Sequence, residues 1–95
     1  MFSIGGTMKV YETISADNWR VVSTEDEGDG KRCLLGHLAR VYGPEGWGRV
    51  RNDVMDAIDV LYPERMNGRR SVALFNDHLD TRIEDIIRVC KLADV

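Results

Sequence analysis

Four apolar stretches with different periods organise the chain. In "CLLGHLARVYG", residues 33–43, Leu34, Leu38, Val41 and Tyr42 recur at helical spacing, widened by Leu35 and Ala39, and Gly43-Pro44 supplies a stop signal. In "NDVMDAIDVLYP", Val54, Ala57, Ile58 and Leu61 fall at i, i+3, i+4, i+7. Asn52 is a candidate N-cap and Pro63 an end, which predicts a helix over 53–62. Ile83, Ile86, Ile87 and Cys90 repeat the same spacing near the end of the chain, behind Thr81-Arg82-Ile83-Glu84, a capping-box pattern. The fourth stretch, "RSVALF" at 70–75, is continuously apolar and reads as a buried strand.

The remaining segments are read from composition. "WRVVS", residues 19–23, is rich in β-formers and predicts a second short strand. Residues 8–14 fit either a strand or a helix: Met8 and Val10 alternate, while Met8, Tyr11 and Ile14 share a helix face. "PEGWG" at 44–48 and Asn67-Gly68 read as a loop and a tight turn. Gly36 inside the first helix suggests close approach of another backbone. The fold class expected is therefore α+β: a small sheet of short strands packed against about three helices in one layer.

Composition narrows this little. Ninety-five residues predict a single domain over 1–95, with Gly5-Gly6 marking 1–7 as a loosely ordered leader and Met8 as a candidate start of the fold. The 43% hydrophobic and 31% charged fractions are those of a globular protein, not a disordered one. A net charge of −3, with only Arg65, Arg69 and Arg70 forming a basic spot, disfavours nucleic acid as partner. No apolar run approaches the ~20 residues of a membrane span, and no signal peptide is evident. Cys33 and Cys90 make no disulfide framework and read as reduced thiols, which points to the cytoplasm.

Candidate chemistry gathers at Asn76, Asp77 and His78, between the expected strand and the last helix. The structural reading employs all the polar residues there. Thr81 caps the helix, Asp80 meets its dipole, and Asn76 and Asp77 bond backbone amides of the turn. A catalytic reading takes Cys33 as nucleophile at a helix start, His78 as base, and Asn76 or Asp77 as its orienting group, in a hydrolase or transferase. A metal reading through Cys33, His37, His78 and Cys90 matches no compact zinc spacing, so neither metal nor cofactor is expected. Acid pairs lack a phosphate loop or an aromatic groove beside them. For binding, Trp19 and Trp47 are aromatics in or beside loops, as is Phe2, and Glu25, Asp26, Glu27 and Asp29 form an acidic loop able to meet a basic protein surface.

Cys33, Leu34, Leu35, Gly36 and Leu38, with Val72, Ala73, Phe75, Asn76, Asp77, Thr81, Glu84 and Asp85, resemble a family of small bacterial and bacteriophage proteins of unknown function. Those proteins share a Cys-x-x-Gly segment opening a helix, a Val-Ala-x-(Trp/Phe)-Asn-Asp segment, and a Thr before an acidic helix start. Trp19 matches a tryptophan preceding the first segment. The likeness covers about two-thirds of the chain. His37 departs from a usual small residue, and Phe75 replaces the commoner Trp. The resemblance implies proximity of Cys33, Gly36, Asn76 and Asp77 and a phage or prophage setting, but no activity. The expectation is thus a small cytoplasmic accessory protein, more a binder than an enzyme, that engages a host protein. Self-association through helix faces stays open, and the Cys33/His78 enzyme is the alternative.

Overall fold

The computed structural model describes residues 8–21, 28, 30–66 and 70–95. The leader, the four acids of the 24–29 loop, Asn67-Gly68 and the last two residues of the expected strand at 19–23 lie outside those residues. The described elements are helices α1 (Val10–Thr13), α2 (Leu34–Leu61), α3 (Val72–Asp77) and α4 (Ile83–Ala93), with a 3₁₀ turn, Pro63–Met66, after α2. No strand occurs among the described residues. Their one extended pairing is an isolated parallel bridge between Trp19 and Arg32. The α+β expectation is therefore corrected: the described architecture is helical, and the described residues form no sheet for the helices to pack against. No described helix is long and apolar enough to cross a membrane.

The correction centres on residues 70–75. A short apolar run cannot distinguish a buried strand from a buried helix by periodicity alone. Here Ser71 decides locally, since its side chain accepts the Leu74 N–H at 3.3 Å and caps the helix. Val72, Phe75 and Asn76 then fall at i, i+3, i+4 and are all buried. The buried stripe includes an asparagine, which masks its period.

Gly43-Pro44 bends the chain without ending the helix. Gly43 sits at φ 70°, ψ 179°, a conformation open essentially to glycine alone, and divides α2 into arms over 34–42 and 44–61. Pro44 opens the second arm, where its missing N–H costs no bond. The expected 44–48 loop is consequently helical, and Asn52 lies exposed inside the helix instead of capping it. The predicted stripe survives: Val54, Ala57 and Ile58 are buried and Leu61 is half-buried.

α4 starts one residue later than the capping-box pattern suggests. Arg82 is the N-cap and Asp85, not Glu84, returns to bond its N–H at 3.1 Å. Asp85 wins because Arg65, at 2.7 Å, and the Tyr62 hydroxyl, at 3.0 Å, already hold its carboxylate in place. Burial alone would push that carboxyl up, but these bonds outweigh it and keep it below the usual range. At the other end, the Val95 carbonyl accepts from the Val10 N–H and the Tyr42 hydroxyl, tying α1 and α2 to the residues after α4.

The core lies where α2 meets α1, α3 and α4. Val10, Leu34, Leu38, Val54, Ile58, Phe75, Ile86 and Val89 are fully buried, each contributing roughly 1.5–3 kcal/mol by leaving water. Phe75 stacks on Tyr62 with ring centroids 5.7 Å apart.

Candidate functional site

The polar junction at the end of α3 is internal. Asn76 is fully buried. Its Oδ1 accepts the Leu34 N–H at 2.9 Å and the Trp19 indole N–H at 2.6 Å. Its Nδ2 donates to the Arg20 carbonyl at 3.2 Å and to Asp77 Oδ1 at 2.9 Å. All four hydrogen-bonding positions of the amide are thereby filled. Cys33 is the N-cap of α2 but its side chain caps nothing. Asn76 supplies that cap from α3, across 42 positions of sequence.

The catalytic candidates therefore fall as follows. Cys33, Trp19, Asn76 and Asp77 come together around the start of α2, with Cys33 buried beside Leu34. His78 turns to its own loop, where its Nδ1 accepts the Asp80 N–H at 3.1 Å. It lines a shallow surface hollow with Arg65, Leu74, Asp77 and Leu79. Among the described residues no group of three His, Cys, Asp or Glu is placed to hold a metal ion. Cys90 lies in the core, and burial pushes its thiol up to about 12.

Of the binding candidates, Trp19 is half-buried and its indole N–H is already engaged by Asn76. Trp47 is half-buried on the second arm of α2, with the Arg51 guanidinium 5.2 Å from its ring centroid. Glu25, Asp26, Glu27 and Asp29 lie outside the described residues.

Two surface features escape a reading of the sequence alone. The first is a hollow of about 310 Å³ between the second arm of α2 and α4, lined by Asp53, Asp56, Ala57, Val60, Leu92 and Ala93. Val60 is 71% exposed and Leu92 52%. In the sequence both are apolar residues off the buried stripes.

The second is a hollow of about 370 Å³ between the first arm of α2 and the segment after α1. His37, Arg40 and Val41 line it from one helix face, at i, i+3, i+4, joined by Thr13, Asn18 and Arg32. The Asn18 carbonyl accepts the Arg32 N–H at 2.9 Å and lies 2.8 Å from His37 Nε2. A carbonyl can only accept, so Nε2 carries the imidazole proton there. Burial lowers the His37 pKa below its ordinary value, and the Arg32 and Arg40 charges lower it further, against bonds to backbone carbonyls. Neither guanidinium makes an ion pair among the described residues. The spacing of His37, Arg40 and Val41 is visible in the sequence. Arg32, brought in through the bridge to Trp19, is not.

A model of a family of unknown function, DUF6197, matches residues 9–94. No curated protein and no solved structure matches the chain.

Proposed function

The chain belongs to DUF6197, a family that brings no activity with it, and we propose from the geometry that it works by binding a partner protein. The observation that carries this is the hollow between α2 and α4. Val60 and Leu92 stand exposed on an apolar floor made by Ala57 and Ala93, with Asp53 and Asp56 at its edge. Large exposed apolar side chains grouped on one face mark interaction surfaces better than scattered ones do. Asp56 shares Arg70 with Asp59, whereas Asp53 has no ion-pair partner among the described residues. The occupant that suits an apolar floor with carboxylates at its edge is a basic amphipathic helix, laid into the groove through one or two apolar anchors. The bacterial or phage setting implied by the sequence resemblance makes a host protein the natural source of that helix.

A photo-crosslinking residue introduced at Val60, with Ala16 as the control position, tests the reading in cells of the source organism. A basic helical peptide crosslinked from Val60 alone supports it. So does loss of that adduct in a folded Leu92→Asp variant. Equal adducts from both positions, or an adduct with a second copy of this chain, overturn it.

A further inference from the structure

We infer that the hollow beside the first arm of α2 binds a small sugar phosphate, with Arg32 and Arg40 on the phosphate and Thr13 and Val41 against the sugar. The argument begins with charge. The chain has 16 acids against 13 Lys and Arg, yet among the described residues no carboxylate lines this hollow. Several cations elsewhere have partners. Lys9 pairs with Asp94, Arg65 and Arg88 with Asp85, Arg70 with Asp56 and Asp59, and Arg51 lies over Trp47. Arg32 and Arg40 instead line one concavity together with the buried His37 ring. Two like charges lining one concavity repel each other, and a phosphate dianion relieves that repulsion through forked N–H···O bonds.

The other walls narrow the ligand class. The Asn18 side chain is turned to the backbone, its Oδ1 accepting the Ser15 N–H at 2.8 Å and its Nδ2 donating to the Thr13 carbonyl at 2.8 Å. The Thr13 hydroxyl donates to the Val10 carbonyl at 3.2 Å, so its oxygen keeps only acceptor capacity. An acceptor beside the apolar Val41 suits a ligand carrying hydroxyl donors on a partly apolar ring. The volume of about 370 Å³ exceeds what bare phosphate needs and holds a pentose phosphate. A long polyanion is a poor fit, because two arginines make no continuous basic track and the molecule's net charge of −3 repels it.

The test is calorimetric and NMR titration of the full chain at pH 7 with ribose 5-phosphate, inorganic phosphate and a single-stranded oligonucleotide. Saturable ribose 5-phosphate binding is expected, with shifts centred on Arg32, His37 and Arg40 and weaker binding of inorganic phosphate. Arg32→Gln and Arg40→Gln should each weaken it by about tenfold, the scale of one lost charge-assisted contact. Arg82→Gln, at an exposed cap outside the hollow, should leave affinity unchanged. Both arginines extend from positions whose backbone bonds the glutamine variants retain, so the variants should fold with unchanged circular dichroism. No saturable binding, binding undiminished in the folded double variant, equal affinity for inorganic phosphate, or preference for the oligonucleotide would each overturn the inference.

Discussion

The start of α2 serves two clusters of polar groups that differ in one respect. At Asn76, every donor and acceptor of the amide has a partner inside the protein. In the hollow along the first arm, His37 is engaged by a carbonyl but the Arg32 and Arg40 guanidiniums have no counter-charge among the described residues. The residue types at the first cluster, Cys, Asn and Asp, are those that attract attention as chemistry. The second contains arginines that look like ordinary surface cations. Saturation, not residue type, separates them. A group whose bonds are all internal holds the fold together, and one left unsatisfied at a concave surface can still bind something.

The largest effect expected from breaking this contrast is at Asn76. Asn76→Ala strands the Leu34 N–H, the Trp19 indole N–H and the Arg20 carbonyl together. Each buried unsatisfied group costs ~1–3 kcal/mol, so the loss should be about 3 kcal/mol or more. For a domain of this size that corresponds to a Tm drop on the order of 12 °C or greater. Thermal and urea unfolding measure it. A loss under ~1 kcal/mol would show that water replaces the amide, and Asn76 would then no longer be the tie between α3 and the start of α2.

Gly43 comes next. It sets the direction of the first arm, which carries both clusters, from a backbone conformation closed to other residues. Nothing lies within contact distance of the place where its Cβ would be, so the cost of Gly43→Ala is conformational alone, about 1–3 kcal/mol. Urea midpoints read that cost. If the arm swings instead of straining, the amide resonances of His37 and Arg40 should move while those of α4 stay. A variant as stable as the parent would place Gly43 in an ordinary helical conformation in solution.

How much of this is legible in the sequence depends on the range of the interactions. Stripes at 54–61 and 83–90 rest on local periodicity, and the structure buries most of the first and half of the second, with Ile83 and Ile87 half-buried. The 70–75 segment does not separate, because a six-residue helix with an asparagine on its buried face presents no clean period. Gly43-Pro44 reads as a break, but a break that ends a helix and one that only bends it share the same residues. The next turns of chain decide between them, and Glu45 to Arg51 continue the helix. The register of α4 slips by one because Asp85 is anchored by Arg65 and Tyr62 from 20 or more positions away. Asn76 is legible as a residue that satisfies main-chain amides. That it serves Leu34 rather than its own turn is a tertiary fact with no local signature, and the same holds for the meeting of Arg32 with Arg40.

The smallest effect, and the one that probes the second cluster directly, is pH dependence through His37. Burial first, then Arg32 and Arg40, hold its folded pKa below the ordinary 6.5. The unfolded chain therefore binds the proton more readily, and stability rises with pH where the two states differ. Stability contributed by neutral His37 should be complete above about pH 6.5, decline as pH falls toward the folded value, and stop changing below it. Asp85, whose folded pKa lies below 3.8, contributes stability that is present above that value and is lost as pH falls through its folded pKa. Urea midpoints between pH 7.5 and 5 measure the His37 slope, and His37→Gln should abolish the part that belongs to it. The Arg32→Gln, Arg40→Gln double variant should retain most of the slope, because burial is the larger cause, but should lose the share due to repulsion. A slope unchanged in that double variant would mean that the two guanidiniums do not act on the ring, and the second cluster would dissolve into separate surface cations.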